Sequence, residues 1–173
     1  MTDLHVVPEV EMSPILHQGV KDLLFASFDS ATFFDVSDIV TPVFRVLGVT
    51  RRQTVVAHVA AYERGVTIGG KPGRIAMLGD VAVAATHRRQ GMTRRMIEEA
   101  HRRFRRQSIA FCVLFAYQPE IYRSSGYEEM TNETRFLDRG GTWKTLVYRG
   151  GMVCALSDRP WTNELLDLKG ITV

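Results

Sequence analysis

The chain has 173 residues and a formal net charge of +3, with 45% hydrophobic and 24% charged residues. That length suits one domain able to bury roughly two-thirds of its unfolded surface, and the composition is that of an ordinary globular protein. No apolar run approaches the ~18–20 residues of a membrane span, and Met1-Thr2-Asp3-Leu4-His5 lacks the basic region and apolar core of a secretory signal, so a cytoplasmic location is the default expectation.

A first strand is predicted over 4–11. Ser13-Pro14 then opens a helix, a hydroxyl cap followed by proline at the first helical position. Ile15, Val20, Leu23, Leu24 and Phe28 form its expected buried side. A short acidic segment from Asp29 to Asp38 carries the paired aromatics Phe33 and Phe34 and gives way to Thr41-Pro42. Strands are predicted over 43–49 and 54–67, with Thr50-Arg51-Arg52-Gln53 as their turn. Gly69-Gly70-Lys71-Pro72-Gly73 is a turn signal, and the strand over 74–83 completes a hairpin. Asp80 is a carboxylate inside the apolar run 78–83, an unusual place for a charge. Strict alternation would set Asp80 and Ala82 on one face and Gly79, Val81 and Val83 on the other.

The basic turn Arg88-Arg89-Gln90-Gly91-Met92-Thr93 leads from that strand into an amphipathic helix. A helix N-terminus offers backbone N–H groups and a positive dipole, so strand, turn, helix and a second apolar strand over 109–115 together suit a pyrophosphate. Met92, Met96, Ile97, Ala100 and Phe104 trace one apolar helix face. Eight arginines lie between Arg88 and Arg106, but most fall away from that face and belong to a solvated surface. No aromatic residues interleave with them to stack bases, so no nucleic-acid partner is expected. A helix joining two neighbouring strands makes those strands parallel. Further strands are predicted over 134–137, 144–149 and 152–156, punctuated by Gly140-Gly141 and Gly150-Gly151. Cys112 and Cys154 sit in apolar runs without a Cys or His at metal-ligand spacing; reduced core thiols, and no metal, are the expectation.

Residues 78–127 resemble the GCN5-related N-acetyltransferase (GNAT) superfamily, whose members move an acetyl group from acetyl-CoA to an amine. There the central strand is followed by Arg/Gln-x-x-Gly-x-Gly/Ala, positions held here by Arg88, Gly91 and Thr93. Thr93 departs from the usual small residue. The family's tyrosine ahead of Gly-Phe or Gly-Tyr falls on Tyr122, before Gly126-Tyr127. The resemblance implies a GNAT fold of the α/β (α+β) class, a mixed, mostly antiparallel sheet with splayed parallel central strands and helices on both faces. It implies a single acetyltransferase domain over 1–173.

The same resemblance implies acetyl-CoA as cosubstrate. The main chain of Val81, Ala82 and Val83 would pair with pantetheine as an added strand. Backbone N–H groups across Arg89, Gln90, Gly91, Met92 and Thr93 would enclose the diphosphate, with charge-assisted contacts from Arg88 and Arg89. Tyr122 would protonate the leaving thiolate, with Tyr127 and Tyr117 as fallbacks that are expected to pack instead. Asp80 is the candidate base, Glu63 the second, and His87 is expected in solvent or at the phosphate edge. Phe34 and Asp35, with neighbouring Asp29, Phe33 and Asp38, fall where the family forms its acceptor groove. Residues 159–170 resemble the tail of aminoglycoside 2′-N-acetyltransferases and nodulation N-acyltransferases, which makes Asp167 and the Val173 carboxylate candidate substrate ligands. The expected function is direct acetyl transfer to a primary amine of a small cationic molecule, with no membrane partner and a homodimer left open. Longer-chain acyl transfer to a sugar amine and a non-catalytic acyl-CoA sensor are the alternatives.

Overall fold

The computed structural model describes residues 2–28 and 39–173. β1 (Thr2–Pro8) pairs antiparallel with β2 (Phe44–Thr50), from Thr2↔Thr50 to Pro8↔Phe44. It begins two residues before the expected 4–11 and ends three residues short of it, where a single 3-10 turn, Glu9–Glu11, follows. α1 (Pro14–Ser27) begins where its cap predicts: Leu16 N–H donates to Ser13 Oγ at 3.3 Å, with Pro14 in the first turn. Ile15, expected inside, is 77% exposed. It lies about 140° around the helix from Val20, and Leu16 takes its place at the margin of the core.

Contacts gather in two compact units, Met1–Tyr62 with Leu78–Ala100, and Glu63–Met77 with His101–Val173. The division passes through β3 (Val55–Ile68) and β4 (Lys71–Val83) rather than through a linker. In the first unit β2 pairs antiparallel with β3, from Phe44↔Ala61 to Gly48↔Ala57. Val20, Leu23 and Leu24 of α1 pack with Met12, Leu47, Val49, Val55 and Ala82, and burial of each such aliphatic side chain contributes about 1.5–3 kcal/mol.

The second unit holds a strand path through β5 (Phe111–Phe115), β6 (Glu128–Glu129), β7 (Glu133–Leu137), β8 (Trp143–Val147), β9 (Gly151–Ala155) and β10 (Leu166–Ile171). Their order is β6-β9-β5-β4-β3-β10-β7-β8. β4 runs parallel to β5 through Ala76↔Cys112 and Met77↔Val113, as a helical crossover demands. β10 was not foreseen as a strand. It lies antiparallel to β3 and parallel to β7, an insertion between two distant strands that a six-residue pattern does not announce. The sheet is thus mixed and mostly antiparallel, within an α/β fold.

α2 (Met92–Arg106) carries the predicted stripe, and Met92, Met96, Ile97, Ala100 and Phe104 are all buried. Beneath Phe104 the chain turns back: Ile109 N–H donates to Phe104 O at 3.1 Å and Ser108 N–H to Arg105 O at 3.0 Å. These are the paired bonds of a Schellman end, with Ser108 at φ +58° in the place usually given to glycine.

Candidate functional site

The end of β4 is not a regular strand. Asp80 has φ +50°, a left-handed conformation inside a β run. Gly69 and Gly70, at φ +57° and +77°, make the two-residue turn that joins β3 to β4. Such a turn sets Ile68 opposite Lys71, so regular pairing would bring Val83 to Val56. Instead Ala84 N–H donates to Val56 O at 2.8 Å. One extra residue on β4 accounts for the shift, and the conformation of Asp80 marks it as a β-bulge. The expected alternation therefore fails here: Ala82 and Val83 are both buried, while Asp80 and Val81 are both half-buried.

A buried polar chain reaches this bulge. Arg45, in β2, donates Nε to Glu9 Oε2 at 2.7 Å and Nη2 to Glu9 Oε1 at 3.1 Å. Its Nη1 stands 3.2 Å from His58 Nε2, and His58 Nδ1 stands 2.8 Å from the Asp80 carbonyl oxygen. None of these three partners was singled out from sequence. The available signal was an arginine and a histidine, each fully enclosed in an apolar strand run, Phe44-Arg45-Val46-Leu47 and Val56-Ala57-His58-Val59.

After β4, residues Ala85–His87 form a 3-10 turn. Arg89 at φ +60° and Gly91 at φ +71° then swing the backbone into α2. Gly91 O accepts the first helical bond, from Arg95 N–H at 3.1 Å. The N–H groups of the first turn, Met92, Thr93 and Arg94, thus lack helical acceptors and point out of the helix start. A Cβ built on Gly91 would meet nothing within 4 Å, so there is room for a ligand group against this backbone. Arg89, Gln90, Arg94 and Arg95 are exposed around it. Arg88 has a structural duty: its Nε donates to Val83 O at 2.9 Å, closing the loop onto β4. That bond occupies a carbonyl expected to face pantetheine, yet leaves four of the five guanidinium N–H groups uncommitted by it.

The acetyltransferase (GNAT) domain family matches residues 20–130. The chain belongs to that family. Its fold is similar to that of a GNAT family N-acetyltransferase (YhbS) from Escherichia coli in complex with CoA, with TM-score 0.72 and 20% identity over 96% of this chain and 89% of that one. A GNAT family acetyltransferase from Brucella melitensis in complex with acetyl-CoA gives 0.63 and 16%, over 95% and 94% of the two chains. A GCN5-related N-acetyltransferase from Anabaena variabilis gives 0.60 and 22%, but the matched region is 73% of this chain and only 32% of that protein. No curated protein sequence matches significantly.

In this GNAT chain Tyr122, Tyr127, Tyr117, Glu63 and Asp167 fall in the second unit. Tyr122 lies on the 3-10 helix Pro119–Ser125, which Gly126 ends at φ +85°. It is half-buried, and burial pushes its phenol up to about 12. Tyr127 meets it edge-on at 6.1 Å between ring centroids. The Tyr127 hydroxyl donates to Cys112 Sγ at 3.1 Å and lies 2.9 Å from His101 Nε2, so Tyr127 is a packed, satisfied core residue. Tyr117, expected to pack, is 94% exposed, two residues past the end of β5. Both cysteines are free and buried, and burial raises the Cys112 thiol to about 12, which suits an inert core thiol.

Asp167, in β10, is held by Arg135 at 3.0 Å and Lys169 at 3.1 Å, and also accepts Lys169 N–H. Those contacts give its charge a structural role in the sheet. Glu63 pairs with Arg74 at 2.9 Å across the hairpin. His87 Nδ1 lies 2.9 Å from Thr86 Oγ1 in the loop. Phe34 and Asp35, with Asp29, Phe33 and Asp38, lie outside the described residues.

Proposed function

We propose that the protein transfers an acetyl group from acetyl-CoA to a primary amine of a small cationic substrate, by direct attack and without an acetyl-enzyme. The observation that carries this reading is the Arg88–Thr93 turn: a bulged strand delivers a left-handed glycine, open space and unpaired helix N–H groups in sequence. Neighbours of the same fold crystallised with CoA and acetyl-CoA support the cosubstrate.

Acetyl-CoA supplies the activated thioester. The N–H groups of Gly91 to Arg94 receive the diphosphate, and the exposed Arg89, Arg94 and Arg95 add charge. Val81 N–H faces the oxygen that gains charge as the amine nitrogen attacks the thioester carbon. Asp80, half-buried on the bulge, takes the proton released by that nitrogen, directly or through water. As the C–N bond forms and the C–S bond breaks, Tyr122 gives its proton to the departing sulfur. A phenol raised to about 12 keeps that proton throughout the working pH range.

Calorimetric titration with acetyl-CoA, CoA and palmitoyl-CoA tests the reading. Micromolar binding of acetyl-CoA is expected, followed by CoA release with an amine panel that starts from aminoglycosides. Tighter binding of palmitoyl-CoA would replace acetyl with a long acyl chain. Binding of none of the three would overturn the assignment.

A further inference from the structure

The chain Glu9–Arg45–His58 ends on a backbone atom of the bulge rather than on a side chain, and that atom belongs to a peptide unit the reaction uses. A carbonyl oxygen only accepts, so His58 Nδ1, 2.8 Å from Asp80 O, carries a proton. A guanidinium only donates, so His58 Nε2, 3.2 Å from Arg45 Nη1, is the acceptor. The two contacts together allow one form of the ring: neutral, protonated at Nδ1. Imidazolium, or the other tautomer, would aim an N–H at a buried guanidinium. Arg45 cannot turn away, because Glu9 holds it through two parallel bonds. Among the described residues Arg45 meets the ring, Glu9 meets Arg45, and His17 Nε2 stands 3.8 Å from Glu9 Oε1.

We infer that His58 is a positioning residue for acetyl transfer, fixing the Asp80–Val81 peptide so that Val81 N–H points toward the thioester oxygen. The inference rests on the acetyl-transfer reading above. In a trans peptide the C=O of one residue and the N–H of the next point in opposite directions. With Asp80 O drawn to His58, Val81 N–H is turned to the opposite side. A flipped unit would present the carbonyl there instead and repel the developing oxyanion.

Two polar replacements separate this role from a merely structural one. In His58→Asn the side-chain amide takes the place of Nδ1 and can still donate to Asp80 O. In His58→Gln the amide takes the place of Nε2, satisfying Arg45 but not the peptide. A residue needed only to satisfy Arg45 would be better replaced by Gln. Removal of one oxyanion donor typically costs about 10²–10³ in kcat. With both variants folded by thermal melting, His58→Gln is expected to lose at least ~tenfold in kcat and His58→Asn to stay within ~threefold, with KM for acetyl-CoA little changed in both. Equal losses, or a loss confined to Asn, would overturn the positioning role while leaving acetyl transfer intact. A wild-type chain that releases no CoA with any amine would remove the acetyl-transfer reading and this role with it. Independently of activity, the imidazole 15N signals of wild-type His58 at neutral pH should show the Nδ1–H tautomer; an imidazolium or Nε2–H signature would overturn the inference.

Discussion

Gly91 and Tyr122 answer to different steps, and their substitutions separate binding from chemistry. At Gly91, φ +71° excludes an unstrained side chain, while the space around its Cβ is open. Gly91→Val should therefore leave the chain folded, at a strain cost of about 1–2 kcal/mol. The new side chain would occupy the approach to the first N–H groups of α2, so the acetyl-CoA dissociation constant should rise at least ~tenfold. Unchanged affinity by calorimetry would remove the turn as the diphosphate site. Tyr122→Phe keeps the ring that packs on Tyr127 and deletes the proton. Its kcat should fall at least ~tenfold, within the usual range for loss of a general acid, with cofactor affinity unchanged. Full activity would assign the leaving-group proton elsewhere. Gly91 could be read from its place in the motif; His58 could not, since a histidine inside an apolar strand is most often a satisfied core residue and only its neighbours say otherwise.

Two turns show how elements reach their ends under opposite constraints. Ser108 closes α2 in a left-handed conformation, and its Schellman bonds put Ile109 close to Phe104, both buried. Ser108→Gly removes the conformational penalty without touching those bonds and should raise stability by about 0.5–1 kcal/mol. A urea midpoint unchanged or lowered would contradict that account. Gly150 ends the loop before β9 at φ +83°, where an added Cβ would run into the Ala116 carbonyl. Its own carbonyl accepts from Ala116 N–H at 2.9 Å, so the loop cannot easily move away. Gly150→Ala should cost more than about 2 kcal/mol, measured as the same midpoint. Element by element, long patterns were the legible ones: the stripe of α2, the cap of α1 and the hairpin at Gly69-Gly70 all stand where periodicity and turn chemistry put them. β10 and the bulge at Asp80 were hidden because each depends on a neighbouring strand far away in sequence.

For the folded chain as a whole, His101 sets a pH limit. It is buried beside Tyr127, and burial, with Arg105 adding to it, lowers its imidazole to about 4 from an ordinary 6.5. As pH falls below 6.5 the unfolded chain takes up a proton that the folded one refuses until about 4. Stability therefore declines across that window, by on the order of 3 kcal/mol when it is complete. Trp143 and Trp161 both lie in the unit that holds His101, so tryptophan fluorescence in urea at pH 7 and pH 4.5 reads the effect. A His101→Gln variant should show a smaller decline over the same interval; an equal decline would place the proton uptake on other groups.

The parts whose cause is local were legible in the order of residues alone. Helix period, turn glycines and the order strand, basic turn, helix, strand are set by dihedral preference and side-chain spacing within a few residues, and the resemblance to the GNAT superfamily rests on short motifs of the same local kind. The tertiary structure alone decided the parts that need two distant segments at once. The Asp80 carbonyl meets His58 of β3, His58 meets Arg45 of β2, and Arg45 is paired in the interior by Glu9, which folds back from the end of β1. A buried charge must find its partner wherever the chain happens to pass, and that meeting is written in the packing of strands rather than in any one stretch of residues.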